Sequence, residues 1–137
     1  MKKDFTFKMP VYFKKRGRDT LLSMNWYRNA HFREQNTVKK YFEFILKGLM
    51  IELSKDKVEY DRYSLAFIYH YKASNSDLDN VVALGLKFIN DALKGFNLIK
   101  DDNVTYMKSF KAEVGNKVRN TNDACLIVTL SLFKDGE

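Results

Sequence analysis

The chain has little of what would point to several large classes of protein. It contains one cysteine, Cys125, so no internal disulfide can form, and a reducing, cytoplasmic setting is expected. Cys125 lies in an apolar strand pattern and is expected to be a buried, inert thiol. There is one proline, Pro10, and no Pro-rich or Gly-rich linker. Neither histidine, His31 or His70, has a Cys or His partner at metal-ligand spacing, and no Ser-His-Asp set can be assembled. No G-x-G-x-x-G or G-K-[ST] run is present, which argues against a nucleotide-driven motor or kinase and against a nucleotide cofactor. No apolar run approaches the roughly 18 residues that a membrane span needs. The opening Met1-Lys2-Lys3-Asp4 leads into an alternating pattern instead of a signal-peptide core.

What is present is basic charge, unevenly placed. The 137 residues carry a net charge of +7 and fit one domain, 1–137, with a sizeable core. Residues 1–57 hold 14 Lys/Arg against 6 Asp/Glu, whereas residues 58–137 hold 10 against 11. One region is suited to gripping phosphates and the other carries the acids.

The periodicities predict strand, helix, strand, helix, strand, strand: an α/β single domain, with a mixed β-sheet and two main helices packed on it. The first strand covers 5–13, at an edge or with a bulge because Pro10 cannot donate to a ladder. Lys14-Lys15-Arg16-Gly17-Arg18 follows as a basic loop, and 21–31 has no firm assignment. A helix is predicted over 33–54, with Val38, Tyr41, Phe42, Ile45, Leu49 and Leu53 buried and Arg33, Lys40 and Lys47 opposite. A charged turn at 54–61 leads to a central strand from Tyr63 to Lys72, expected to be covered on both faces. Asp77 caps a helix over 79–94, in which Gly85 implies close packing against another backbone and Gly95 marks the end. Strands follow at 104–114 and 124–133, with a polar turn at 116–123 between them.

Two acidic groups stand out, Asp77-Leu78-Asp79-Asn80 and Lys100-Asp101-Asp102-Asn103. Neighbouring carboxylates repel unless a cation lies between them, and hard oxygen ligands suit Mg²⁺ or, as a substitute, Mn²⁺. A loop that returned one acid of the second pair to Asp77 and Asp79 would create a three-carboxylate metal site for phosphodiester cleavage. The plainer readings are a helix N-terminus complementing its dipole and an Asp-Asp-Asn turn. Lys87 lies on the polar side of the second helix with Asn80, Asp91 and Lys94, placed either to stabilise transition-state charge or to pair with Asp91 one turn on.

These residues resemble the RusA-type Holliday junction resolvases. The resemblance rests on Asp77-Leu78-Asp79-Asn80, on Lys87 and Asp91-Ala92-Leu93, and on Ile99-Lys100-Asp101-Asp102-Asn103-Val104. Leu22-Ser23-Met24-Asn25-Trp26-Tyr27-Arg28 is similar to the family's N-terminal region, so the likeness covers nearly the whole chain. It implies a Mg²⁺-dependent endodeoxyribonuclease in which Asp77, Asp79 and Asp102 bind metal and Lys87 is the catalytic lysine. It also implies a homodimer, because paired cuts in a four-way junction need two symmetric sites. The family's lysine follows the second aspartate by four residues. Here Ala83 holds that position, and Lys87 stands one helical turn beyond it.

The expected activity is therefore resolution of branched DNA, with Lys14, Lys15, Arg16, Arg18, Arg28, Arg33, Lys39 and Lys40 as phosphate contacts. The alternatives are a non-catalytic branched-DNA binder and a general metal-dependent nuclease for flaps or single strands. Tyr69 and Tyr71 are read as core in preference to a junction wedge.

Overall fold

The computed structural model describes residues 2–55 and 62–133, and most of the charged turn expected at 54–61 lies outside them. Its architecture is mixed α/β, with a four-stranded sheet, a two-stranded sheet and three helices in one domain. The elements are β1 (Lys2–Pro10), β2 (Tyr12–Lys15), β3 (Arg18–Leu21), α1 (Met24–Asn29), α2 (Phe32–Ser54), β4 (Arg62–Tyr71), α3 (Leu78–Gly95), β5 (Met107–Lys117) and β6 (Cys125–Phe133). The main sheet has the order β1-β6-β4-β5. β6 runs antiparallel to both β1 and β4, and β5 lies parallel to β4 through the α3 crossover.

Period-2 alternation decides which side of the sheet is buried. Tyr63, Leu65, Phe67 and Tyr69 of β4 and Leu126, Val128, Leu130 and Leu132 of β6 point into one core, together with Phe7 and Met9 of β1. The intervening Ser64, Ala66, Ile68 and His70 are not buried. β4 is central as expected, but only one of its faces is covered, because α2 and α3 both pack on the same side. Tyr69 belongs to the core, and Tyr71 packs against it.

The 5–13 segment is not one strand. β1 ends at Pro10, at the sheet edge, where that residue opposes Cys125. The chain then leaves the sheet as the β2–β3 hairpin, with the register Lys15↔Arg18. Arg16 (φ 51°) and Gly17 (φ 78°) both take positive φ, the requirement of a two-residue type I′ turn. The basic loop is therefore a tight hairpin tip. The 21–31 stretch contains α1, capped by the Ser23 hydroxyl accepting from the Trp26 N–H.

α2 buries Val38, Phe42, Leu46, Met50 and Leu53. Tyr41, expected among them, is exposed. In α3, Gly85 is explained by β6: a Cβ there would lie 2.7 Å from the Leu126 side chain, so the close partner is a side chain and not a backbone. Gly95 is the last helical residue, but the reversal is made by Asn97 (φ 57°). The Asn97 N–H donates to the Lys94 carbonyl and the Leu98 N–H to that of Leu93, a Schellman motif. Cys125 is buried, and burial raises its thiol above the usual range.

Candidate functional site

The β4–α3 connection is built from a short polar loop. Ser76 donates to the Ala73 carbonyl, and its hydroxyl lies 3.1 Å from the Tyr69 hydroxyl, which fixes the loop to the end of β4. Asp77 then occupies the N-cap position of α3 with extended backbone, but its carboxylate makes no capping bond. It accepts only from the Asn80 side-chain amide, at 3.2 Å. Asp79 stands exposed in the first turn. Neither acid has an ion-pair partner among the described residues. Two free carboxylates at a helix N-terminus fit a hydrated Mg²⁺, which commonly takes one or two protein carboxylates and completes its shell with water and phosphate.

Asp102 is elsewhere. Its carboxylate lies 3.4 Å from Lys94 Nζ, near the last turn of α3. Lys94 also approaches Asp91 and Asp101, both at 3.9 Å, and Lys39 of α2 reaches Asp91 at 3.2 Å. Asp79 and Lys94 are fifteen helical residues apart, which places them about 22 Å apart along the axis. Asp102 also lies near Tyr63, at the start of β4, whereas the Asp77 loop is tied to Tyr69 at its far end. The loop after α3 thus does not carry Asp102 back to Asp77 and Asp79. A parallel crossover begins its second strand at the opposite end of the sheet from where its helix began. Among the described residues, no group of three or more His, Cys, Asp or Glu is placed to hold one metal.

The second acidic group has the features of a turn. The Asp102 N–H donates to the Asp101 carboxylate at 2.8 Å, and the Thr105 N–H to the Asn103 side chain at 2.9 Å. That backbone donor, first among several, holds the Asp101 carboxyl below the usual range. The Asp102 carboxylate likewise raises the Lys94 ammonium above its ordinary value. Beside them, the Tyr63 hydroxyl donates to Asn90 at 2.6 Å within the core, and burial pushes the phenol upward. β5 starts at Met107, three residues later than predicted, because this turn occupies 101–106.

Lys87 is exposed on α3 and has no ion-pair partner among the described residues. The expected Lys87–Asp91 pair is absent, since Lys39 and Lys94 take Asp91. Both histidines have structural roles. His31 Nδ1 accepts from the Arg33 N–H as the N-cap of α2, and His70 Nδ1 accepts from the Asn116 N–H at 2.9 Å.

The eight candidate phosphate contacts divide into two sets. Lys14, Lys15 and Lys39 are ion-paired, with Asp19 (2.6 Å), Glu34 (3.3 Å) and Asp91 respectively. Arg16, Arg18, Arg28, Arg33 and Lys40 are exposed, with no carboxylate partner among the described residues. Glu34, which sequence reasoning missed, joins three elements: it takes Lys15 of β2 and the indole N–H of Trp26 in α1 at 2.8 Å while belonging to α2. The hairpin is also tied to the loop before β6, where Thr121 donates to Asp19 at 2.6 Å. Lys14 and Thr121 together lower the Asp19 carboxyl. β6 begins opposite His70, close to the end of β4, so the basic hairpin and the Asp77–Asp79 pair share one end of the sheet.

No protein-family model matches the chain, and no curated protein matches it. No helix among the described residues is long and apolar enough to cross a membrane.

Proposed function

We propose that this protein is a Mg²⁺-dependent endodeoxyribonuclease that cuts branched DNA, acting as a homodimer on four-way junctions. The observation that carries the reading is the pairing of charge states at one end of the sheet. Among the described residues, Asp77 and Asp79 are acids without cations, and Arg16 and Arg18 on the nearby hairpin are cations without acids. Phosphate and metal together would satisfy both sets. Asp77 and Asp79 would hold the metal, which supplies charge neutralisation at the phosphate and a more acidic bound water. Arg16, Arg18, Arg28 and Arg33 would grip the backbone without reading sequence. Lys87, one turn beyond the family's spacing, has its ammonium free to meet substrate charge. Asp102 is too far from Asp79 within one chain to share its metal, and its contacts there are those of a turn anchor.

That separation favours a second reading, a binder that recognises junction shape without cutting. Labelled four-way junction incubated with Mg²⁺, with EDTA, and with the Asp79→Asn protein decides between them. Symmetric nicks that need both metal and Asp79 support the nuclease. Metal-independent binding with no cleavage in Mg²⁺ or Mn²⁺ supports the binder. Single cuts confined to flaps would indicate a general nuclease.

A further inference from the structure

A pocket of about 190 Å³ lies beside Asp77, lined by Tyr69, Tyr71, Ser74, Ser76, Leu78 and Val114. Ser76 and Leu78 flank Asp77 in the chain, so the pocket and that carboxylate share one turn of backbone. The parallel strands β4 and β5 both end here, and α3 begins here. Crevices at the carboxyl ends of parallel strands are the usual ligand sites of α/β sheets. The volume is below the roughly 300 Å³ of sites for drug-sized ligands and leaves room for a single flat ring.

The sheet is irregular at this pocket. Val114 lies beside Tyr69 in the β4–β5 register, yet 57% of it is exposed. Tyr69 pairs with Val114 but Tyr71 with Lys117, so β5 carries an extra residue, a β-bulge. His70 closes the bulge by accepting the Asn116 N–H at 2.9 Å, and a Cβ on Gly115 would lie 2.6 Å from the His70 ring. Bulges of this kind bend a strand and re-aim side chains beside binding sites.

The hydroxyls on the pocket wall have a fixed polarity. Ser76 gives its proton to the Ala73 carbonyl at 2.7 Å. The Tyr69 hydroxyl, 3.1 Å from the Ser76 oxygen, is therefore the donor of that pair. Burial raises the Tyr69 phenol above its usual range, so it keeps the proton. Both oxygens retain lone pairs and have no further proton to offer. The Tyr71 ring, 6.2 Å from that of Tyr69, supplies an aromatic surface, with Leu78 and Val114 as apolar walls. Lys72 follows Tyr71 in the chain and Lys117 opposes it in the register. Both are exposed, with no ion-pair partner among the described residues.

We propose that this pocket receives one unpaired base of the nucleic-acid strand whose phosphate lies at Asp77 and Asp79, and that it selects bases carrying an exocyclic amine over thymine. A nucleobase has the flat face that Tyr71 and Val114 would meet and the polar edge that the two acceptors would meet. Adenine, cytosine and guanine each present an amine donor, whereas thymine presents carbonyl oxygens that the acceptors repel. The cations Lys72 and Lys117 favour a strand, with its flanking phosphates, over an uncharged ligand. The inference rests on the proposed phosphate site at Asp77 and Asp79, but base selection is read without metal or cutting.

Fluorescence anisotropy of a labelled oligothymidine strand, and of the same strand with one central adenine, tests this when each is titrated with the full chain in EDTA. The wild-type protein should bind the adenine-bearing strand at least ~5-fold more tightly. Tyr69→Phe removes the hydroxyl and keeps the ring, and Val114→Phe fills the pocket from an exposed position. Each should bring the two strands to within ~2-fold while oligothymidine binding is kept and circular dichroism is unchanged. Equal wild-type affinity for the two strands would overturn the proposal, as would binding of neither strand or a preference that survives both substitutions. A protein that prefers the adenine strand in EDTA but never cuts a junction in Mg²⁺ would sink the nuclease reading alone.

Discussion

The two ends of α3 carry the same residue types in opposite states. At the N-terminal end, Asp77 and Asp79 stand without cations among the described residues, and one of them occupies a cap position without capping. At the C-terminal end, Asp91, Asp101 and Asp102 converge on Lys94, with Lys39 adding a second ammonium. The helix dipole accounts for part of this arrangement, since it favours anions at the first end and the Lys94 cation at the second. It does not account for the missing cap bond at Asp77. The difference teaches that an acidic pair is informative about metal chemistry only once its cations are known. Acids already neutralised by lysine serve the turn, and acids left over remain available to a ligand.

The largest effect expected from breaking this contrast is at the N-terminal end. Asp79→Asn should lower Mg²⁺-dependent junction cleavage by at least ~100-fold, measured under single turnover. Its Tm should fall only slightly, because the exposed carboxylate has no ion-pair partner among the described residues and loses only its interaction with the helix dipole.

At the other end the effects should fall on stability. Tyr63→Phe removes the hydroxyl that satisfies the buried Asn90 side chain and should cost about 1–3 kcal/mol in urea unfolding, with cleavage retained. A smaller change is expected from Lys94→Met, which leaves three acids short of a cation. Its pairs are partly exposed, so the loss should stay under about 1 kcal/mol, again without loss of cleavage. Cleavage falling with Lys94→Met as steeply as with Asp79→Asn would erase the distinction between the two ends.

The smallest effect is on the acid limb of the stability curve. Asp101 and Asp19 are both held below the ordinary carboxyl range when folded. Each therefore contributes stability that is present above the unfolded value, about 4, and is lost as pH falls through the lowered folded value. Asp19→Asn should flatten that limb slightly in thermal melts below about pH 4. An unchanged limb would mean that Lys14 and Thr121 do not hold Asp19 in solution.

Much of the fold was legible because its signals are local. The 3.6-residue stripes of α2 and α3 and the alternation in β4 and β6 are periodicities that the chain carries with it. The hairpin was missed although Arg16-Gly17 was in view, because arginine is a rare occupant of a positive-φ turn position and a run of basic residues resembles a loop. α1 was missed because six residues are too few for a period to show. Tyr41 was misplaced because an apolar residue one position beside the buried stripe cannot be told from a member of it.

The sequence by itself determined the types of the long elements, the single α/β domain, the uneven charge and the identity of every acid and base discussed. Only the tertiary structure decided what those charges do. Lys39 meets Asp91 across two helices, Lys15 of the hairpin meets Glu34 of α2, and Asp102 turns to Lys94 instead of Asp79. Secondary structure follows from interactions a few residues long, which leave a pattern in the chain. A carboxylate's availability depends on which cation lies within about 4 Å through space, and that partner leaves no mark in the neighbouring sequence.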